Sequence, residues 1–217
     1  MHLQPTHVGL IPDGMRRWAK ANDATLAEAY LRGAEKVADI LVQLHRNGVR
    51  TVSVYNLSRA NLARSDAELT PVYDASIHFF STLIPARFDS STCSVRLHGD
   101  RSLLPEPYLA AVRDIEETMR GNDFRINMLA AYDAGDELRA AHLRAQQEGC
   151  DIAAAFDISD VDMIIRTSPE QLLSGFLPIQ SQYAMLFFLS TALNDLDDQD
   201  IDELIADYRR LPQLRGT

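Results

Sequence analysis

The chain has 217 residues, of which 46% are hydrophobic and 24% are charged, and its formal net charge at pH 7 is −10. These values indicate one globular domain over residues 1–217 and exclude disordered, collagen-like and disulfide-scaffold proteins. The acidic balance argues against nucleic acid or an anionic membrane as a partner, because both require a basic surface. An anionic substrate would need a local cluster of Arg or Lys side chains.

Cysteine usage and the chain termini indicate the compartment. Cys93 and Cys150 form no C-x-x-C pair and have no matching His cluster, so neither a zinc site nor a disulfide framework is predicted. Residues 1–8 are too polar for a signal peptide, and the apolar run at residues 183–189 is far too short for a membrane span. We therefore expect a cytoplasmic protein in a reducing environment, without integral membrane contact.

Apolar runs of strand length alternate with segments of helical period along the chain. Strands are predicted at residues 7–11, 51–55, 94–97, 124–130, 163–166 and 184–188. Helices are predicted at residues 26–46, 67–83, 105–120, 136–148 and 199–210. This alternation predicts an α/β fold, a single domain with a central, mostly parallel six-stranded sheet flanked by helices. In such sheets ligands bind beyond the carboxyl ends of the strands.

The segment after the first strand carries the clearest chemical signal. Residues 11–19 read IPDGMRRWA, a strand end followed by an Asp-Gly turn and a helix start, where free backbone N–H groups bind anions. Arg16 and Arg17 lie where a helix gains nothing from positive charge, which hints at function. Asp13 beside them is a natural ligand for Mg²⁺, which prefers one or two carboxylates with phosphate oxygens and water. The alternative interpretation is a surface turn with solvated arginines.

The same segment resembles a known family. Residues 7–20, HVGLIPDGMRRWAK, are similar to the signature opening of the cis-prenyltransferases, the undecaprenyl diphosphate synthase family. Further family motifs follow in order at residues 32–36 (RGAEK), 55–64 (YNLSRANLAR), 95–100 (VRLHGD) and 162–167 (DMIIRT). The resemblance covers essentially the whole chain and implies the cis-prenyltransferase fold, a homodimer, and a Mg²⁺-assisted reaction between two prenyl diphosphates.

The resemblance also implies roles for individual residues. Asp13 would hold the metal, and the predicted catalytic residues are Asp13, Arg16, Ser58 and Asn61, of which Ser58 and Asn61 lie near the reacting carbons. Arg166 and Ser174 would bind the acceptor diphosphate. The other predicted substrate-binding residues are Gly14, Met15, Arg16, Arg17, Trp18, Tyr30, Arg64 and Leu172.

Departures from the family pattern concentrate on the acceptor side. Met15 stands where the family has an Asn after Asp-Gly, and Tyr30 stands at the His of the family's G-H-x-x-G motif. Leu172 replaces the second Arg of the acceptor site. Ala60 and Met185 each replace a family Glu, the latter one that helps to hold metal. The donor side thus keeps its phosphate-binding and metal-binding groups, whereas the acceptor side is altered.

Three interpretations follow. The opening resembles the small branch of the family that makes branched, lavandulyl-type diphosphates (lavandulyl, cyclolavandulyl and isosesquilavandulyl). This branch implies head-to-middle attack by dimethylallyl diphosphate on an allylic donor, either dimethylallyl or geranyl diphosphate. The alternatives are regular short-chain cis-condensation with isopentenyl diphosphate and a non-catalytic prenyltransferase subunit. The sequence leaves open the donor length, the base and whether the product cyclises.

Two further patterns are interpreted structurally or by analogy. In the family that the chain resembles, the product grows into a tunnel beside the helices after the second strand. Bulky residues in and just after the predicted helix at residues 67–83 therefore imply a short product of ten or fifteen carbons, namely Tyr73, Phe79, Phe80, Leu83 and Ile84. The acidic run at residues 195–202 lacks the D-D-x-x-D spacing of trans-prenyltransferases and is predicted to cap the last helix.

Overall fold

The computed structural model describes residues 4–212, and the six predicted strands are all present in this part of the chain. They are β1 (His7–Ile11), β2 (Thr51–Tyr55), β3 (Cys93–His98), β4 (Phe124–Leu129), β5 (Met163–Arg166) and β6 (Met185–Phe188). β1, β2 and β5 have the predicted bounds. β3 is one residue longer at each end, β4 stops one residue earlier, and β6 begins one residue later.

The strands form one sheet in the order β3-β4-β2-β1-β5-β6, and every neighbouring pair is parallel. The α/β prediction with a parallel six-stranded sheet is therefore confirmed. Since all carboxyl ends meet at one edge of a parallel sheet, the residues that follow β1, β2 and β5 are brought together there. This edge contains Asp13, Asn56 and Thr167.

The α-helices of the described chain are α1 (Met15–Ala21), α2 (Leu26–Arg46), α3 (Asp66–His78), α4 (Ile84–Arg87), α5 (Glu106–Thr118), α6 (Ala134–Glu148) and α7 (Asp198–Arg210). The Thr25 hydroxyl and the Glu28 carboxylate form a reciprocal capping box that starts α2. The predicted acidic cap of the last helix is confirmed, because Asp197 and Asp200 each accept a backbone N–H from the other, at 3.0 and 2.8 Å.

The prediction of one uninterrupted helix over residues 67–83 was wrong. The α-helix ends at His78, Phe79–Leu83 forms a π-helical turn, and α4 continues to Arg87. Pro85 lies in the first turn of α4 and has no N–H to donate to the preceding turn, so the regular α-helical bonding is interrupted here. The turn brings Phe79 to the wall of the cavity described below.

Both faces of the sheet are covered by apolar groups. On one face, Val8 and Leu10 of β1 pack with Leu41 of α2 in the main core, all with no exposed surface. On the other face, Phe176 lies so close to Gly9 that a Cβ atom at this glycine would come within 2.5 Å of the Phe176 ring. The central strands therefore need apolar residues on both faces, as continuous apolar runs in the sequence predict.

Polar groups fix the amino-terminal ends of the central strands. The Asp162 carboxylate accepts hydrogen bonds from the backbone N–H groups of Thr6 and His7, at 2.9 and 3.1 Å. His7 contacts Ser53 at 2.8 Å, and burial lowers the pKa of its imidazole, which favours a neutral, structural ring.

In residues 4–212 every helix is too short or too polar to cross a bilayer.

Candidate active site

A cavity of about 360 Å³ lies at the carboxyl edge of the sheet. Part of its lining is charged, with Asp13 among four arginines: Arg16, Arg17, Arg64 and Arg166. Another part is apolar and includes Val37, Val54, Leu57, Val72, Ala75, Phe79 and Met128. The volume is at the small end of the range for small-molecule sites, and this combination suits a ligand with an anionic head and a short hydrocarbon tail.

Arg166, the last residue of β5, is the most strongly fixed cation of the site. It is 7% exposed. Its guanidinium donates to the Asp13 carboxylate at 2.8 Å and to the hydroxyls of Ser168 and Ser174, both at 2.9 Å. It also donates to the Leu172 backbone carbonyl. This set of bonds holds residues 168–174 against the sheet and uses four of the five guanidinium N–H groups, which leaves one for a ligand.

Asp13 is positioned by its neighbours on both sides. Its backbone N–H donates to the Thr167 hydroxyl at 2.7 Å, and that hydroxyl donates to the Asp13 carbonyl at 2.8 Å. The Gly14 N–H donates to the Asp13 carboxylate at 2.6 Å. Gly14 has a left-handed φ of 101°, and a Cβ atom there would lie 3.1 Å from the Ala192 side chain, so glycine is strongly favoured.

The two arginines at the start of α1 are paired with carboxylates. Arg17 donates to Glu170, and its guanidinium lies 3.6 Å from the Asp13 carboxylate. Hydrogen bonds from Ser168 and from Arg17 lower the pKa of Glu170 to about 2. Arg16 pairs with Glu68 at 2.9 Å and lowers the pKa of that carboxyl. All four side chains are substantially exposed at the cavity mouth, so incoming phosphate oxygens can compete for the guanidinium groups.

The predicted catalytic pair Ser58 and Asn61 lies at the cavity, where the two residues cap the short 3-10 turn that follows β2. The Asn61 N–H donates to the Ser58 hydroxyl at 3.1 Å, and the Ser58 N–H donates to the Asn61 side chain at 3.2 Å. Their polar groups are therefore oriented by each other. Whether they act on substrate stays a prediction.

Most predicted site residues line the same cavity. They are Asp13, Gly14, Met15, Arg16, Arg17, Tyr30, Ser58, Asn61, Arg64, Arg166 and Ser174. Met15 packs against α2, where a Cβ atom at Gly33 would lie 3.1 Å from it. The Tyr30 hydroxyl contacts Arg64, and burial raises its pKa.

Two predicted substrate-binding residues lie outside the cavity lining. The Trp18 indole donates to Asp195 at 2.7 Å and lies under the Arg32 guanidinium at 5.1 Å, so it anchors α1 to the helices around it. The Leu172 side chain is 61% exposed, and only its backbone carbonyl reaches Arg166. The structure gives no support for direct substrate contact by these two side chains.

The cavity also contains polar residues that sequence reasoning missed. Asn56 and Ser76 both line it, and Thr167 fixes Asp13 from beneath. Asn56 falls inside the motif at residues 55–64, but its type alone predicts nothing about its partners. Of the five bulky residues expected to limit product length, Phe79 lines the cavity and the other four pack elsewhere.

The residues at the cavity fit a Mg²⁺ ion only if the substrate supplies most of its ligands. Within residues 4–212 no group of three or more His, Cys, Asp or Glu side chains is arranged to hold a metal ion. Asp13 offers one carboxylate at the cavity, and Met185 on β6 offers no oxygen. A single carboxylate suits a Mg²⁺ ion whose other ligands are phosphate oxygens and water.

Comparison with known proteins identifies the family. The family model described as "Putative undecaprenyl diphosphate synthase" matches residues 11–215. The isoprenyl transferase of Lactococcus lactis subsp. lactis is 29% identical, with 99% of this chain and 94% of that protein aligned. Isoprenyl transferase 2 of Bradyrhizobium diazoefficiens is 30% identical, with 98% of this chain and 90% of that protein aligned.

Solved structures show the same fold. Lavandulyl diphosphate synthase from Lavandula x intermedia, in complex with dimethylallyl diphosphate, has a TM-score of 0.88 at 22% identity, and the match covers 97% of each chain. A probable undecaprenyl diphosphate synthase from Campylobacter jejuni has a TM-score of 0.76 at 19% identity and covers 99% of this chain and all of that one. The chain therefore belongs to the undecaprenyl diphosphate synthase family, the cis-prenyltransferases, and is a prenyl diphosphate transferase of isoprenoid biosynthesis.

Proposed function

We propose that the enzyme couples two short prenyl diphosphates head-to-middle and releases a branched, lavandulyl-type diphosphate. The observation that carries this proposal is the contrast within one small cavity. The donor-side arginines and Arg166 are present, whereas Leu172 replaces the second acceptor-site Arg, and Met15 and Tyr30 replace two polar family residues near the acceptor. An acceptor other than isopentenyl diphosphate accounts for this change of lining.

The donor diphosphate binds to Arg16, Arg17 and Arg64 in this proposal. A guanidinium group can donate two parallel hydrogen bonds to the oxygens of one phosphate. On binding, the phosphate oxygens take the place of the Glu68 carboxylate at Arg16 and of the Glu170 carboxylate at Arg17. The acceptor diphosphate binds to Arg166 and Ser174. Mg²⁺, when held by Asp13 and phosphate oxygens, would supply further positive charge to the departing diphosphate.

The coupling changes a small number of bonds. The bond between C1 of the allylic donor and its diphosphate oxygen breaks, and the diphosphate leaves with the electron pair. The C2=C3 double bond of dimethylallyl diphosphate then forms a bond from its C2 to the donor C1, which places positive charge on C3. The released diphosphate takes a methyl proton from beside C3, and the electrons of that C–H bond form the double bond of the branched alkene. The apolar lining, with Val72 and Phe79, keeps water away from these cations.

Regular cis-condensation with isopentenyl diphosphate is the second candidate, because both curated relatives above are named isoprenyl transferases. The test is to incubate purified protein and Mg²⁺ with dimethylallyl diphosphate alone, with geranyl diphosphate added, and with isopentenyl diphosphate added. Gas chromatography with mass detection of the dephosphorylated products follows. A branched product without isopentenyl diphosphate supports the proposal, and a linear product that requires it supports regular condensation. If none of the substrate pairings gives a product, neither reaction is supported.

We also propose that the enzyme is a homodimer through the sheet edge at β6. Leu186 on β6 and Tyr183 just before it are 45% and 66% exposed, and within residues 4–212 β6 has a strand neighbour on one side only. An exposed strand edge with apolar side chains favours association. A Leu186→Lys variant is expected to be a monomer by size-exclusion chromatography with light scattering, and an unchanged mass would contradict this interface.

A further inference from the structure

Asn56 is held at the cavity wall by a hydrogen-bond network that the reaction outlined above does not use. It follows β2 and lines the cavity beside Val72. Its amide nitrogen donates to the Ser76 hydroxyl on α3 at 2.9 Å and to the Tyr108 hydroxyl on α5 at 3.0 Å. Both N–H bonds of the amide are therefore in use.

The network determines which way the amide faces. The Ser76 hydroxyl donates its own hydrogen to the Val72 carbonyl at 2.7 Å, so toward Asn56 it can only accept. Tyr108 is fully buried against the rings of Tyr73 and Phe80, and burial raises the pKa of its hydroxyl. A turn of the amide would place its oxygen against the Ser76 hydroxyl, whose hydrogen is already donated to Val72, so that contact would become unfavourable. The nitrogen thus stays on the network side and the carbonyl oxygen faces away from it.

The amide oxygen accepts no hydrogen bond from any residue in the range 4–212. Asn56 is only half-buried and its neighbours in the lining include Val54, Val72 and Met128. The side chain therefore presents a fixed, unpartnered acceptor within a largely apolar stretch of wall. In the absence of substrate, water can satisfy this oxygen.

The position of Asn56 in the sheet tells which part of a ligand it meets. β2 is two places from β5, which carries Arg166, and neighbouring strands lie roughly 4.8 Å apart, so the two strand ends are separated by about 10 Å. The network anchors Asn56 on the side of α3 and α5, which contribute no charged group to the lining. A prenyl diphosphate held by Arg166 would meet Asn56 with its hydrocarbon tail.

We propose that Asn56 is a specificity-determining residue that limits prenyl chain length by polarity rather than by bulk. A longer tail that passes the amide displaces water from its oxygen and offers no donor in return, which is unfavourable. A short tail stops before the oxygen and leaves it hydrated. This inference rests on the proposed binding of prenyl diphosphates in this cavity.

The test measures binding and needs no turnover. Inert dimethylallyl, geranyl and farnesyl thiolodiphosphates are titrated by calorimetry, with Mg²⁺, into the wild type, Asn56→Leu and Asn56→Ala. Leucine is close to asparagine in size but apolar, whereas alanine removes both bulk and polarity. We expect Asn56→Leu to raise the affinity for the farnesyl ligand relative to the dimethylallyl ligand about tenfold, the scale of one unpartnered carbonyl. Asn56→Ala is expected to do the same.

Each other outcome overturns the inference. If Asn56→Ala shifts the affinity ratio and Asn56→Leu does not, bulk alone sets the limit. If neither shifts it, Asn56 has no role in length selection. If the wild type binds none of the three ligands, the proposed function itself fails and the inference falls with it.

A second variant covers the case in which Asn56→Leu does not fold. Ser76→Ala removes the acceptor that fixes the amide nitrogen, so the Tyr108 hydroxyl can donate to the amide oxygen after Asn56 turns it away from a tail. We expect a smaller shift of the affinity ratio in the same direction. A change in melting temperature without any shift in the ratio would show that the network is only structural, and would contradict the proposal.

Discussion

The Arg166 guanidinium donates to the Asp13 carboxylate at 2.8 Å and so joins the ends of two neighbouring strands, β5 and β1. Arg166 is assigned by resemblance to the acceptor diphosphate and Asp13 to the metal on the donor side. If these assignments hold, the contact makes the two proposed diphosphate sites adjacent parts of one hydrogen-bonded unit. Two diphosphates bound side by side would share this pair.

Replacement of Asp13 tests its role apart from its contact with Arg166. In Asp13→Asn the amide oxygen can keep the hydrogen bond from Arg166, but the amide nitrogen then faces the Gly14 N–H, so we expect a modest fall in the melting temperature. We expect turnover to fall by roughly 10²–10³-fold, because an amide is a poor ligand for Mg²⁺ and gives the leaving diphosphate less support. Steady-state kinetics and circular dichroism on the same samples check both expectations. Turnover near the wild-type level would show that Asp13 is not a metal ligand.

Replacement of Arg166 by lysine tests the need for a planar, branched donor. A lysine ammonium cannot reach Asp13, Ser168 and Ser174 at once from a buried position. We expect Arg166→Lys to weaken acceptor binding, seen as a raised KM for the acceptor, and to lower the melting temperature. Arg113→Lys is a matched control, since Arg113 forms an exposed pair with Glu106 on α5. An unchanged acceptor KM would contradict the assignment.

Glu170 and Arg17 form a contact that diphosphate must displace. Glu170→Gln weakens this competition, so we expect inorganic pyrophosphate to bind about twofold to fivefold more tightly, the scale of one exposed ion pair. Calorimetry with pyrophosphate checks this, with Glu106→Gln as the control for loss of an exposed carboxylate. Weaker binding by Glu170→Gln would mean that Glu170 orients Arg17 for the ligand.

The same contact gives a pH dependence of defined sign. The pKa of Glu170 is lowered from 4.5 to about 2, so its contribution to stability is present above pH 4.5 and is lost as the pH falls toward 2. The difference in melting temperature between the wild type and Glu170→Gln should narrow over that interval. A difference that stays constant from about pH 5 down to about pH 2.5 would contradict the shifted pKa.

A second carboxyl has the opposite pH dependence. Glu137 accepts from the Tyr132 hydroxyl at 2.5 Å and from the Gln180 amide at 3.0 Å, and burial raises its pKa. A raised pKa gives stability that is full at acid pH and is lost as the pH rises through the folded-state value. Glu137→Gln stays neutral, and its amide can donate to the Gln180 oxygen, which is buried without a partner in the described chain.

We therefore expect Glu137→Gln to be at least as stable as the wild type at neutral pH, with a flatter dependence of melting temperature on pH between 4 and 8 (a range of about four units). Differential scanning calorimetry across that range provides the measurement. A variant that is less stable than the wild type at neutral pH and more stable at acid pH would show that the Glu137 carboxylate is favourably charged in the fold.

Sequence reasoning was most accurate where a pattern follows from backbone geometry. β1 and β5 are nearly continuous apolar runs because both faces of the sheet are covered, and the bounds of β1, β2 and β5 were predicted to the residue. The π-helical turn at Phe79–Leu83 was missed, because an apolar helical pattern continues through it and only Pro85 hints at the change. The spacing of apolar residues in the sequence does not distinguish a single π-helical turn from an α-helical turn that is one residue shorter.

For the site, sequence motifs located the residues but not the direction of every side chain. Asp13 and Arg166 were predicted, and the structure brings them into contact. Trp18 and Leu172 occupy motif positions, yet one packs under Arg32 and the other faces solvent. Asn56 was missed because its significance depends on Ser76 and Tyr108, which are distant in sequence. Such three-body arrangements exist only in the folded chain.

The most direct test of the proposed head-to-middle reaction is the position of the new carbon–carbon bond. Purified enzyme and Mg²⁺ are incubated with dimethylallyl diphosphate labelled with ¹³C at C1, mixed with dimethylallyl diphosphate labelled at C2, and the product is analysed by NMR. Our account predicts a one-bond ¹³C–¹³C coupling between the donor C1 and the acceptor C2. Turnover only after addition of isopentenyl diphosphate, with a linear product in which the donor C1 is bonded to C4 of that acceptor, would contradict it.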